Sequence, residues 1–243
     1  MIERNDAFLD QLQSFLNAHS FPAYAVLNYG QAVLTLSGNK LVLKRINSRN
    51  KSRLNSELAR ERPLAPTIYF MQASGKAFMS IYMLKESFKG QEFAEANFEA
   101  SNSACHMRHH IRRCYAWSDA GRLNAELFGY IMDICYDKRK AENPGLNCIL
   151  LGGNFDARKG MEAIRKMLSE GAFLLFFPEG ASRFLQPLNS CPFASFKRRM
   201  NAIFEGIELG ASLLAERRFK LLIRACREAE GQSMAESAIQ RGF

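Results

Sequence analysis

Two β-rich runs, Ala32-Val33-Leu34-Thr35-Leu36 and Leu41-Val42-Leu43, flank the polar turn Ser37-Gly38-Asn39-Lys40. A short extended run, a Gly-containing turn and a second extended run are the pattern of a β-hairpin. A second such unit follows. Ile68-Tyr69-Phe70-Met71 and Phe78-Met79-Ser80-Ile81-Tyr82-Met83 are joined across Ser74-Gly75-Lys76. The two turns share Ser-Gly and a polar residue, but the strands share only hydrophobicity, so this is not an internal repeat. Upstream, Phe8, Leu9, Leu12, Phe15 and Leu16 recur at helical spacing. They predict an amphipathic helix from about Asn5 to Asn17, which Phe21-Pro22 ends.

Between the hairpins runs a polar arm, residues 44–62, with seven Lys or Arg against Glu57 and Glu61. Asn and Ser interleave its first half, and Pro63 and Pro66 stop it. Such a segment suits exposed contact with phosphates. From Lys85 to Ser103 the composition turns acidic and Ala-rich, which reads as a connector. The predicted organisation is α+β. Residues 1–95 carry the helix, the two hairpins and the basic arm; residues 96–243 form a helix-rich part with a basic C-terminal helix.

Cys105 to Trp117 holds three of the four histidines and the only tryptophan. Read as a helix at 100° per residue, it places His106, His109, His110 and Arg113 on one face, with Trp117 a turn further on. Cys105 and Cys114, nine positions apart, then point in opposite directions. His106, His110 and Cys114 still converge at i, i+4, i+8. Cys135 or Cys148 would have to supply the fourth ligand that a structural zinc takes, and no metal or cofactor is assigned.

Further on, Leu123, Leu127, Tyr130, Ile131, Ile134 and Cys135 form a helical stripe, with Ser118 or Asp119 as its cap. Asn143-Pro144-Gly145 is a turn, and Cys148-Ile149-Leu150-Leu151 a short buried strand or the edge of a helix. Ala157, Met161, Ile164 and Leu168 predict a helix capped by Asp156 and closed by Gly171. Ala172 to Phe177 follows as a buried strand. The last segment reads as helix. Ile203, Ile207, Gly210 and Leu214 share one face, and Arg217, Lys220, Arg224 and Arg227 make a cationic stripe on another.

Composition bounds the function classes. The chain of 243 residues is 47% hydrophobic, enough for a substantial core, and its formal charge of +9 favours an anionic partner. Its cysteines are widely spaced without a C-x-x-C pair. The N-terminus lacks a secretory pattern, so free buried thiols in a reducing, cytoplasmic setting are expected. The longest purely apolar run, Ala172 to Phe177, is far short of the ~20 residues of a membrane-spanning helix. No phosphate-binding G-x-x-x-x-G-K-[ST], G-x-S-x-G or H-E-x-x-H motif occurs.

Met167-Leu168-Ser169-Glu170-Gly171 through Phe177-Pro178-Glu179-Gly180-Ala181-Ser182-Arg183 resembles the F-P-E-G block of glycerolipid acyltransferases. Gly152 to Arg158 is a looser match to that family's upstream block. The resemblance implies an acceptor-phosphate site at the F-P-E-G block. The family's catalytic pair is a His followed five positions later by Asp. Here His19 is followed by Tyr24, His106 by Ile111, His109 by Cys114 and His110 by Tyr115, so acyl transfer lacks its base. A degenerate, acyltransferase-like protein is the alternative reading.

The favoured expectation is a non-catalytic nucleic-acid-binding subunit, for RNA or DNA, within a larger nucleoprotein assembly such as a ribonucleoprotein. Its contacts would be Lys44, Arg45, Arg49, Lys51 and Arg53 of the arm; His106, His109, His110, Arg113 and Trp117; and Arg217, Lys220, Arg224 and Arg227. Other protein subunits are expected partners, and integral membrane association is not.

Overall fold

The computed structural model describes residues 2–37, 40–44, 65–85, 113–118, 123, 125–153, 164–165, 168–205, 224–226, 228–230, 233, 239–241 and 243. The fold is α+β. Helix α1 (Ile2–His19) is followed by β1 (Val26–Ser37), β2 (Lys40–Lys44), β3 (Ala65–Gln72), β4 (Ala77–Lys85) and β5 (Arg113–Ser118). Then come α2 (Ala125–Glu142), β6 (Cys148–Gly153), β7 (Ala172–Phe177), a short α3 (Ser182–Leu185) and α4 (Cys191–Glu205). Both hairpins form as antiparallel pairs, β1 with β2 and β3 with β4.

The strands join in one sheet of order β5-β4-β3-β1-β6-β7, with β2 beside β1. β1 organises it. β3 occupies one edge of β1 from Leu27 to Leu34. The other edge is shared: β6 pairs in parallel with Val26 to Asn28, and β2 pairs with Val33 to Ser37. Tyr29 to Ala32 are left between them.

Alternation along the strands sends successive side chains to opposite faces. Leu27, Tyr29, Ile68, Phe70, Met79, Ile81, Met83 and Leu150 build one core with Leu127, Phe128, Ile131, Met132 and Cys135 of α2. The stripe predicted through Leu127 and Cys135 is thus the buried face of α2. Burying each such side chain fully is worth about 1.5–3 kcal/mol, so this layer anchors the fold. The opposite face holds Val26, Ile149, Leu151 and Phe177 beneath Phe8, Leu12, Phe15 and Leu16 of α1. Phe8 meets Phe177 edge-on at 5.7 Å and Phe15 meets Phe173 at 5.1 Å.

Some expectations are corrected. Arg113 to Trp117 lie in strand β5, not a helix; Ser80 pairs with Arg113 and Leu84 with Trp117 in parallel register. The helical spacing that placed Arg113 and Trp117 on one face therefore does not apply, and pairing with β4 decides the local structure. Ser118 ends β5 and cannot cap α2, which starts at Ala125. The charged run from Asp137 to Glu142 is helical, and Asn143 to Gly145 turn as predicted. β6 and β7 are strands. Ile164, Arg165, Leu168 and Ser169 are helical, and Gly171 takes the left-handed φ of 87° that a helix-closing glycine adopts. The connector after Lys85 lies outside the described residues.

Candidate nucleic-acid interface

The gap on the β1 edge, between β6 and β2, is filled from the far end of the chain. Asn28 is fully buried there; its amide donates to the Leu151 carbonyl at 2.8 Å, and its oxygen accepts from the Leu188 backbone N–H at 3.0 Å. Gln186 donates to the Tyr29 carbonyl at 2.7 Å and accepts from Asn189 at 2.8 Å. A buried amide left without partners costs about 1–3 kcal/mol, so these bonds hold residues 186–189 in place over the gap. Gly30 allows the approach. A Cβ on it would lie 2.5 Å from the Gln186 amide nitrogen.

That junction sets where α4 begins. Pro187 to Asn189 form a single 3-10 turn, and Ser190 closes back on the Pro187 carbonyl at 2.7 Å. Pro192 sits in the first turn of α4, where its missing N–H leaves no bond unmade. Phe193, Phe196 and Met200 then recur at i, i+3, i+7 and are buried. Phe193 and Phe196 pack edge-on to Tyr69 at 5.7 and 5.6 Å. With that face turned to the sheet, Arg198 and Arg199 are exposed on the other side. α4 also packs against β2, the strand that ends at Lys44 where the basic arm begins.

The predicted contacts fall as follows. Lys44 is the last residue of β2, Arg113 and Trp117 belong to β5, and Arg224 is exposed on a helical segment. Arg45, Arg49, Lys51, Arg53, His106, His109, His110, Arg217, Lys220 and Arg227 lie outside the described residues. β2 and β5 stand on opposite sides of the β1–β3–β4 core of the sheet, so Lys44 and β5 are not brought together. Lys197-Arg198-Arg199, a run of charge in the sequence, is not among the predicted contacts. The usable signal was its place opposite the Phe193, Phe196, Met200 stripe.

Other groups singled out earlier take structural roles. Phe177 ends β7, and Pro178-Glu179-Gly180 is a turn in which Ala181 N–H donates to the Pro178 carbonyl at 2.9 Å and Gly180 has φ of 77°. That turn requires a residue tolerant of left-handed backbone, which accounts for the glycine of the F-P-E-G block. Cys135, Cys148 and Cys226 are buried free thiols. Burial pushes the Cys148 thiol up to about 11 and the Cys135 and Cys226 thiols well above their usual range. Among the described residues no three His, Cys, Asp or Glu converge as metal ligands, and no helix is long and apolar enough to cross a membrane.

A second buried polar cluster lies over β4. Ser80 and Tyr82 donate to the two carboxyl oxygens of Glu230 at 2.9 and 2.5 Å, and all three residues are buried. Burial first, and then the Glu230 charge, hold the Tyr82 phenol well above its ordinary value. It therefore remains a donor. This contact ties the C-terminal segment to the sheet.

No family model matches the sequence, and no curated protein matches it. Among solved structures, the catalytic domain of Mos1 mariner transposase aligns over 96% of this chain and 93% of its own, with 10% identity and a TM-score of 0.46. The Mos1 transposase paired-end complex with left transposon end aligns over 99% of this chain and 61% of its own, with 12% identity and a TM-score of 0.44. A pre-cleavage Mos1 transpososome gives 99%, 62%, 10% and 0.44 for the same quantities. At such identities and scores the likeness fixes neither family nor site, and the interface stands on this chain's own residues.

Proposed function

We propose that the protein is a non-catalytic nucleic-acid-binding subunit that grips the phosphate backbone of RNA or DNA. The observation that carries this reading is the packing of α4, with Arg198 and Arg199 exposed, against β2, the strand that leads into the basic arm at Lys44. β2, which carries Lys40 and Lys44, and α4, distant in sequence, are thereby neighbours. A formal charge of +9 adds a long-range attraction for polyanions. Lys44, Arg45, Arg49, Lys51 and Arg53 of the arm extend the same surface in this reading. Arg224 and the stripe of Arg217, Lys220 and Arg227 supply a further contact region, and Trp117 a stacking group.

Phosphate contact by Lys and Arg releases condensed counterions, so affinity falls with salt by about 0.7–0.9 log units per log unit of salt for each contact. Binding of this kind is sequence-tolerant, with non-specific dissociation constants of about 10⁻⁴–10⁻⁶ M. In this reading the subunit also meets other proteins in a nucleoprotein assembly. Fluorescence anisotropy with labelled single- and double-stranded DNA and RNA tests the reading. The double substitution Arg198→Glu with Arg199→Glu is expected to weaken binding about tenfold or more, with an unchanged circular dichroism spectrum.

A further inference from the structure

The sheet beneath α4 decides how that helix presents its charge. Phe193, Phe196 and Met200 are buried and turn one face inward. At about 100° per residue, Arg198 then points almost directly away from the sheet. Its neighbours Lys197 and Arg199 lie on the two flanks, about 100° to either side of it. Ala194 and Ala202 stand one turn before and one turn after Arg198, with Asn201 beside it, and all three are exposed, as are Arg198 and Arg199. The only acidic residue of α4, Glu205, is its last.

Cations spread over about 200° of a helix suit a partner that surrounds it. Against a flat anionic surface, such as a membrane, Arg198 would make contact while Lys197 and Arg199 faced sideways. In a groove with two anionic walls each of them meets phosphates. The major groove of B-form DNA is about 12 Å wide and admits a helix of about 10–12 Å diameter. Entry requires short side chains on the leading face, and Ala194 and Ala202 supply them. The groove floor then meets Arg198 and Asn201. Both residue types match base edges, an arginine fork to O6 and N7 of guanine and a carboxamide to N6 and N7 of adenine. The major groove of A-form RNA is too deep and narrow to be read in this way, and a single strand has no second wall.

We infer that α4 is a recognition helix for duplex DNA, seated in the major groove, with Lys197 and Arg199 toward opposite phosphate walls and Arg198 and Asn201 reading bases. This rests on the nucleic-acid reading proposed above and narrows its partner. Phosphate contact positions the helix, and base contact makes the binding depend on sequence.

Selection by the full chain from a pool of randomised duplex DNA tests this. Anisotropy titrations then compare the selected duplex, a scrambled duplex, an RNA duplex and a single strand of the same length. A short enriched motif containing guanine and adenine is expected. Two bidentate base contacts should favour the selected duplex over the scrambled one by about thirtyfold or more. Arg198→Lys keeps the charge and loses the fork, and Asn201→Ala loses the amide; each should lower that preference about fivefold or more. Ala202→Trp places bulk where the helix enters the groove. It should abolish the preference for duplex over single strand, with an unchanged circular dichroism spectrum.

Steep salt dependence with no enriched motif, or an RNA duplex bound as tightly as the selected DNA, would leave the phosphate grip standing and overturn the recognition helix. A motif preference that survives both Arg198→Lys and Asn201→Ala would overturn it as well. Absence of binding to every probe would overturn the phosphate grip and this inference together.

Discussion

The two faces of the sheet are built on different principles. Under α2 the contacts are almost wholly apolar: Leu27, Tyr29, Phe70 and Met79 meet Phe128, Ile131 and Met132. On the other face, beside the apolar patches under α1 and α4, Asn28, Thr67, Ser80 and Tyr82 are buried, with polar partners that come from as far along the chain as Glu230. The first face supplies most of the hydrophobic stabilisation, which is non-directional. The second supplies direction. Each hydrogen bond there has one geometry, and together they fix where residues 186–189, α4 and the C-terminal segment sit. The exposed Arg198 and Arg199 inherit their position from those hydrogen bonds together with the packing of Phe193 and Phe196 on Tyr69.

Substitutions separate the two principles. Phe128→Ala on the apolar face should cost the most, about 3–5 kcal/mol, from lost burial and the cavity left behind. It would be measured by urea unfolding, and the position of α4 should be unaffected in the variant that still folds. Glu230→Ala on the polar face should cost about 2–4 kcal/mol, because Ser80 and Tyr82 each lose an acceptor in a buried setting. Glu230→Gln should recover part of that loss, whereas a purely apolar contact would be indifferent to the added amide. Gly30→Ala should cost about 1–3 kcal/mol by pushing Gln186 off the Tyr29 carbonyl. It should also weaken nucleic-acid binding more than its stability loss implies, since α4 is displaced.

A smaller effect is expected from pH. The Cys148 thiol titrates near 9 when unfolded and is pushed up to about 11 by burial in the fold. Above pH 9 the unfolded chain therefore holds fewer protons than the folded one, and stability falls as pH rises through this window. The contribution is fully present below pH 9 and should decline by about 1 kcal/mol by pH 10. Cys148→Ser should make that slope shallower in a pH series of urea midpoints, with Cys135 and Cys226, whose thiols burial also raises, supplying what is left.

The contrast also explains what was legible in the sequence. The hairpins and the stripe of α2 are local patterns, alternation around a Ser-Gly turn and apolar residues at helical spacing, and both formed, although α2 starts at Ala125, after Leu123. The polar face was not legible. Asn28, Gly30 and Gln31 interrupt the apolar run at the start of β1, so the strand was expected only from Ala32 although it begins at Val26. The partners that make Asn28 tolerable, Leu151 and Leu188, lie more than a hundred residues away. β5 failed for a related reason. Arg113 to Trp117 is a short run whose strand character comes from pairing with β4, a contact that spacing along the chain does not encode. The basic residues could be read as charge, but which of them meet depends on the register of β1.

Salt dependence of binding tests the central claim most directly. Anisotropy titrations of one labelled oligonucleotide from low to moderate salt should give a steep, linear fall of log affinity with log salt. Arg198→Glu with Arg199→Glu should reduce that slope by about 1.4–1.8, the share of two phosphate contacts. An affinity that hardly changes with salt, or a slope identical in the double variant, would contradict a phosphate-gripping surface built on α4.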